Sequence, residues 1–333
     1  MPKTFNVTVS DQSFTIKAGD RLLDAALQSG VDLPHDCRSG QCGTCTVERV
    51  RGITLGGEAG SGSILACQAR VFSNLEVQVP NAPKTVERNA VVEEIRDLAE
   101  GVVEVVIQPR QPIDWLPGQY MKLQFRGYPA RCFSPTATLG GGAFDGKLRF
   151  HIKRVRGGLV TPRLGTEIVA GARLKLVGPL GHAFLRDHEA GRLVLAGSGT
   201  GFAPIWAIAS AAHHASPERE ILLVCGAKDA KSLYMGEALL TASRRKRTSV
   251  KIAFERNTPP IPGVGTGTPA DFLGQLSSSD VVYAAGGPRM VERARDLAED
   301  AGARFYADPF LPSPRSDPSS AFGLVSRVFS AAR

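Results

Sequence analysis

The sequence predicts a multidomain chain of mixed class, α+β followed by α/β. A small first unit precedes an antiparallel β-barrel, and a doubly wound parallel sheet comes last. Three observations carry this. The 333 residues suffice for two or three domains. Short apolar-alternating runs broken by Gly and Pro fill residues 85–187, the pattern of antiparallel strands. From about residue 190 apolar strands alternate with helical stretches, the pattern of βαβ units.

Composition is that of an ordinary globular protein, 43% hydrophobic and 22% charged, with material for several cores. The formal net charge of +8 is uneven, −1 over residues 1–83 and +9 over the rest. A basic body attracts phosphates, acidic proteins or nucleic acid, yet most of these side chains read as a solvated surface. No window approaches 18 apolar residues, and Met1-Pro2-Lys3-Thr4-Phe5 has no apolar signal core. The expectation is a cytoplasmic protein with no membrane contact. Its six cysteines then meet reducing conditions, where clustered thiols bind metal more often than they pair.

The first unit spans 1–83. Phe5, Val7 and Val9 alternate in one strand, Phe14 and Ile16 in the next. Asp20 is placed to cap a helix over 21–29, with Leu22, Leu23, Ala26 and Leu27 on one side and Gly30 ending it. A cysteine loop follows. Val47 and Val50 fall in a strand, and Leu75, Val77 and Val79 close the unit before a linker, Pro80-Asn81-Ala82-Pro83. The second unit, 85–187, places strands over 91–98, 102–108, 120–125, 148–153 and 173–177, which suggests a barrel. The third, 190–310, reads as strands over 193–197, 221–225, 250–254 and 281–285 with helices over 203–212, 233–243 and 289–301. A tail, 311–333, opens on Pro312, Pro314 and Pro318, and its apolar residues over 321–329 follow helical spacing.

Cys37-x4-Cys42-x2-Cys45 is the spacing of a plant-type [2Fe–2S] loop, with Cys67 as the fourth thiolate. Gly40 and Gly43 let the loop wrap tightly and bring backbone N–H groups near the sulfurs. Zinc is the alternative, but a closed zinc site usually shows paired Cys-x2-4-Cys or added histidine, and only His35 is near. Here the chain resembles the ferredoxin domains fused to oxygenase reductases, which implies a β-grasp fold. The stretch between Cys45 and Cys67 is shorter than in most relatives of that kind.

Arg131-Cys132-Phe133-Ser134 stands in the barrel, followed by His151-Ile152-Lys153 and Gly157-Gly158-Leu159-Val160-Thr161. Each is weak alone; an arginine beside small polar residues also makes a salt bridge or a turn. In this order, before a βαβ domain, they resemble the flavin domain of the ferredoxin–NADP reductase superfamily. The resemblance implies that Arg131 to Ser134 hold the flavin and that Gly158 to Thr161 open a helix at its pyrophosphate. Arg131 offers a fixed fork of donors. Gly158 permits close backbone approach, and Thr161 with helix N-terminal N–H groups can neutralise a diphosphate. Ser134 is placed to donate near the reactive ring nitrogen. Two diphosphate-facing elements favour FAD over FMN. Phe133 stands where the family has tyrosine, losing one hydroxyl contact worth about 0.5–1.5 kcal/mol.

Residues 196–204 hold Gly199, Thr200, Gly201 and Pro204 between a strand and a helix, a turn that brings a dinucleotide pyrophosphate to a helix N-terminus. Lys228 suits either a ribose or phosphate contact or plain solvent. Ala285-Gly286-Gly287-Pro288-Arg289-Met290 resembles the family's Cys-Gly-x-Pro-x-Met stretch, with Ala285 in place of the cysteine that faces the nicotinamide. Cys225 sits on another strand and is not assumed to substitute for it. Phe310, in a stretch similar to the C-terminal signature, implies the aromatic that covers the flavin; ordinary core packing is its alternative.

The resemblance covers residues 3–312 and implies a reductase component of a bacterial ring-hydroxylating dioxygenase system. NAD(P)H, with NADH favoured, would feed FAD and then the cluster, and a ferredoxin or terminal oxygenase would receive the electrons. A redox sensor acting through a transcriptional regulator is the second reading, motivated by Phe133, Ala285 and the tail. Direct nucleic-acid binding rests only on charge, including the run Arg244-Arg245-Lys246-Arg247, and no DNA-binding motif accompanies it. His213-His214 reads as a surface helix end rather than a metal site.

Overall fold

The computed structural model describes residues 3–311 apart from 61, 143–144, 187, 257–258 and 260. The helix expected over 321–329 lies outside the described residues. Seven strands form the first unit: β1 (Thr4–Val9), β2 (Gln12–Lys17), β3 (Thr46–Arg51), β4 (Thr54–Leu55), β5 (Ser63–Leu65), β6 (Arg70–Val71) and β7 (Leu75–Gln78). Five make a mixed sheet in the order β2-β1-β7-β3-β5, in which β1 and β7 run parallel. Helix α1 (Leu22–Gln28) crosses it, burying Leu22, Leu23 and Ala26. This is the expected β-grasp unit, and its apolar core draws only on residues between Phe5 and Val79.

Asp20 does not cap α1. The cap position is Arg21, without a side-chain bond, because backbone carbonyls do the work: Leu22 N donates to Ala69 O and Leu23 N to Ala66 O. The fourth cysteine's own segment thus ties down the helix start.

The second unit contains β8 (Val86–Ala99), β9 (Val102–Pro109), β10 (Tyr120–Phe125), β11 (Arg131–Phe133), β12 (Pro135–Thr136), β13 (Leu148–Lys153) and β14 (Arg173–Leu180). They form one antiparallel, barrel-like sheet in the order β11-β10-β14-β8-β9-β13-β12. Alternate residues such as Val103, Val105, Ile107, Phe150 and Ile152 fill its interior.

The third unit is a six-stranded parallel sheet of β15 (Leu193–Ser198), β16 (Ile221–Ala227), β17 (Thr248–Phe254), β18 (Val264–Thr266), β19 (Val281–Gly286) and β20 (Arg304–Pro309). Its order is β18-β17-β16-β15-β19-β20. Helices α2 (Phe202–Ala215) and α3 (Gly236–Ser243) pack on one face, and α4 (Pro288–Asp300) on the other. The third helix starts three residues later than its apolar pattern suggests. Asp229 and Ser232 close a capping box on a separate 3₁₀ turn, Ala230–Ser232, and Leu233 is then extended. His213 is also buried, not on the surface. The last turn of α2 faces β17, and His213 Nε2 meets Thr248 Oγ1 at 2.7 Å, while His214 is exposed.

Barrel and parallel sheet share one apolar core, in which Val102, Ala137 and Leu185 join α2 and the sheet. Trp206 Nε1 donates across the same seam to Thr138 O. Among the described residues no helix is long and apolar enough to cross a membrane.

Candidate functional site

The cysteine loop lies between α1 and β3, with Cys67 just after β5. Cys45 and Cys67 are each 3% exposed, whereas Cys37 is open to solvent. Side-chain contacts pair Cys37 with Cys42 and Cys45 with Cys67. Among the described residues no three His, Cys, Asp or Glu side chains converge enough to hold one ion. A binuclear cluster takes its thiolates two to each iron, and the two thiol pairs suit that demand. Backbone N–H groups of Ser39 and Cys42 point at Cys37 Sγ, each at 3.4 Å. Gln68 Nε2 donates to Cys67 Sγ at 3.4 Å. Burial by itself would raise the Cys37 thiol, but the bonds from Ser39 and Cys42 prevail and bring it to about 6. Burial with the neighbouring Cys67 pushes Cys45 up to about 12. Gly40 and Gly43 have φ of +80° and +69°, the region that tight wrapping requires. The donors, pairs and glycines fit a [2Fe–2S] cluster.

One side of this loop rests on the barrel. Asp36 accepts from Tyr120 Oη at 2.8 Å and pairs with Lys122 Nζ. Thr44 lies 3.2 Å from Tyr120 Oη and accepts from Gly181 N. Lys122 stands opposite Cys132 in the β10–β11 register. Cys132, exposed at the barrel edge, is within electrostatic range of Asp36, Lys122, Asp308 and Cys42.

Strand β11 carries Arg131 and Phe133, both half-buried, and leads to Ser134, which is 6% exposed. Ser134 Oγ donates to Asp308 Oδ2 at 2.7 Å, two residues before Phe310. Desolvation raises the Asp308 carboxyl to about 6. Phe310 is half-buried, and its N–H donates to Gly286 O. The structure therefore brings Ser134 to the C-terminal stretch of the parallel sheet. His151 lies apart from this pair. Phe150 and Ile152 point into the barrel, so alternation sends His151 to the opposite face. There its ring meets Glu104 at 3.3 Å and Tyr234 edge-on at 5.3 Å between ring centres. Lys153 and Leu159 are exposed, and Val160 is buried. The helix expected after Gly158 is a single 3₁₀ turn, Thr161–Arg163, which ends where Leu164 turns extended and Gly165 takes φ +88°. Thr161 Oγ1 accepts from Val155 N at 3.0 Å. A side chain at Gly158 would crowd Val155 O at 3.0 Å, so the turn itself favours glycine there.

The Gly199–Gly201 turn follows β15 and opens α2, at the switch point where strand order reverses between β15 and β19. Gly201 packs on the end of β19; a Cβ there would stand 2.4 Å from Ala285 O. Gly286, at φ +121°, touches Ser198 in the same way. Thr200 is half-buried, Pro204 is buried and Lys228 is exposed. Ala285 is 2% exposed and packs in the core with α2. Cys225 is equally buried, and burial raises its thiol. The turn, the switch point and the glycine approach fit a dinucleotide. Asp36, Thr44, Tyr120, Lys122 and Asp308 were not among the expected residues. Their only sequence signal is proximity to motifs, Asp36 beside Cys37 and Asp308 beside Phe310.

Comparison with known proteins gives three family matches in chain order. Residues 5–72 match a 2Fe-2S iron-sulfur cluster binding domain, 93–184 an oxidoreductase FAD-binding domain and 195–296 an oxidoreductase NAD-binding domain. The reductase component of the naphthalene 1,2-dioxygenase system of Pseudomonas putida is 31% identical over 320 residues, covering 89% of this chain and 94% of that protein. The reductase subunit of an Amycolatopsis aromatic O-demethylase is 35% identical, covering 69% and 74%. Among solved structures, an Amycolatopsis cytochrome P450 reductase superposes with a TM-score of 0.67 at 29% identity, covering 92% of this chain and 99% of that one. These relatives are named as reductases, which gives the regulatory alternative no support. The chain belongs to the ferredoxin–NAD(P)+ reductases of ring-hydroxylating oxygenase systems, oxidoreductases that use a [2Fe–2S] cluster, FAD and NAD(P)H.

Proposed function

We propose that this chain draws electrons from NADH and delivers them, one at a time, to a ferredoxin or terminal oxygenase in aromatic-compound catabolism in the cytoplasm. Its units are residues 1–83 for the cluster, 85–187 for FAD and 190–310 for the nucleotide, with 311–333 as a tail. Gly199, Thr200, Gly201 and Pro204, with Gly286 across the turn, receive the dinucleotide, and Lys228 borders it. Arg131, Cys132, Phe133 and Ser134, with the backbone of 151–153 and the turn from Gly158 to Thr161, hold FAD. Cys37, Cys42, Cys45 and Cys67 hold the cluster. When bound, FAD supplies hydride acceptance and the cluster single-electron transfer, which together turn a two-electron donor into one-electron deliveries.

The chain's own residues position and tune. Ser134, its proton directed to Asp308, presents a polar group where the barrel meets β20. Phe310 covers the flavin side of that meeting point. Ser39, Cys42 and Gln68 donate toward sulfur and so favour the negative cluster. The exposed rim at Cys37, Arg38 and Ser39 is where an acceptor reaches the cluster. One chain of contacts carries the reading: Asp36, beside Cys37, bonds Tyr120 and Lys122 on β10, Lys122 is registered with Cys132 on β11, and Ser134 after β11 bonds Asp308 on β20, so cluster loop, flavin strand and sheet edge are linked. Stopped-flow mixing with NADH and with NADPH tests it. Flavin bleaching faster with NADH, followed by cluster reduction, is expected; no bleaching by either would refute it.

A further inference from the structure

The three units are joined in two different ways. Barrel and parallel sheet share an apolar core, to which Val102, Ala137, Leu185, Phe202 and Trp206 contribute. Among the described residues the first unit shares no apolar cluster with them: its core draws on residues between Phe5 and Val79. Among the described residues, hydrogen bonds and an ion pair join it to the barrel on one side of the cluster loop. Asp36, the residue before Cys37, takes a hydrogen bond from Tyr120 Oη and the ion pair of Lys122 Nζ. Thr44, between Cys42 and Cys45, takes the N–H of Gly181 and meets Tyr120 Oη. Gly43 lies against His182, whose Cβ is 3.7 Å from where a Gly43 Cβ would stand. The other side of the loop, at Cys37, Arg38, Ser39 and Gln41, is exposed.

The barrel residues in this contact are not scattered. Tyr120 and Lys122, both on β10, reach the same Asp36 carboxylate. Lys122 is registered with Cys132, on the strand that also carries Arg131 and leads to Ser134. Asp36 is 12% exposed and Lys122 36%, so the pair is shielded more than a free surface bridge, and the carboxylate also takes the Tyr120 hydroxyl.

We propose that Lys122 and Tyr120 are positioning residues, forming a seat that fixes the cluster loop, through Asp36, against the β10–β11 pair that carries the flavin strand. The seat sets the gap that electrons cross into the cluster, and it leaves the Cys37 side free for the acceptor. With no apolar cluster shared among the described residues, these polar contacts hold the register. The inference rests on the electron route proposed above.

The test uses the full holoprotein with Lys122→Met, Tyr120→Phe and the double variant, and with Lys122→Arg as the conservative control. Three readings are taken: flavin bleaching by NADH, cluster reduction, and the magnetic coupling of the two cofactors by electron paramagnetic resonance. Hydrogen exchange at the Gly181 amide reports the seat independently of either cofactor. The double variant is expected to keep its bleaching rate, to reduce the cluster at least about tenfold more slowly, as ångström-scale misplacement does, and to lose coupling and Gly181 protection. Lys122→Arg is expected to restore all of these. Unchanged cluster reduction and coupling in the double variant would overturn the seat. If that variant fails to hold its cluster, unchanged Gly181 protection would overturn it just as well. Absence of bleaching in the unmodified protein would instead remove the electron route, and the exchange measurement would then decide on the seat.

Discussion

Ser134 and Asp308 show how much one pair can decide. Ser134 was visible in sequence as the end of the Arg131 motif. Asp308, 174 positions away, was not, because no local pattern joins a barrel strand to the last strand of another sheet. Its carboxyl is raised from 3.8 to about 6, with desolvation dominating the bond from Ser134. The folded state therefore holds the proton more tightly than the unfolded chain. Stability falls as pH rises from about 4 to about 6, and the full penalty is present above that. Asp308→Asn is expected to melt at a higher temperature than the unmodified protein at pH 8, with the gain vanishing at pH 4. The rate of flavin bleaching by NADH is expected to inflect near pH 6 and to lose that inflection in the variant. A melting difference that does not change with pH would contradict the assignment.

At the scale of elements, the turns carry the function and the glycines carry the turns. Gly201 rests on the end of β19, where a Cβ would lie 2.4 Å from Ala285 O. Gly201→Ala is expected to cost about 1–3 kcal/mol of stability through overpacking and to raise the NADH concentration needed for bleaching, while FAD content stays normal. Thermal melting and NADH titration check the two parts separately. The glycine-rich turn was legible because strand, glycines and helix are contiguous. The start of α1 and the start of α3 were not. In the first, carbonyls of Ala66 and Ala69 replaced a side-chain cap; in the second, a capping box closed on a separate short turn. Both outcomes depend on what the segment packs against, which periodicity does not contain.

For the whole molecule, the division of apolar cores predicts what can be separated. Residues 84–333 keep the barrel and sheet clusters intact and lose none of their members. This fragment is expected to fold, to bind FAD and to reduce ferricyanide with NADH at a rate similar to the full chain, while reducing no protein acceptor. Precipitation of the fragment, or retained delivery to a ferredoxin, would each contradict the division.

The sequence by itself determined the fold class and the order of the three units, and its spacing singled out the four thiolates proposed for the cluster. Three of the four thiolates fall within nine residues, and the spacing that wraps a loop around two irons is a local property. It also suggested the flavin and nucleotide motifs, the latter contained in one strand and the turn after it. Only the tertiary structure decided which motif faces which. Asp36 meets Lys122 across 86 residues and Ser134 meets Asp308 across 174, and chain topology, not spacing, brings them together. The same holds for His151, whose ring the barrel's alternation turned toward Glu104 and Tyr234. Ligand identity is written in short-range spacing, whereas the joining of three sites into one route depends on how separate cores are seated against each other.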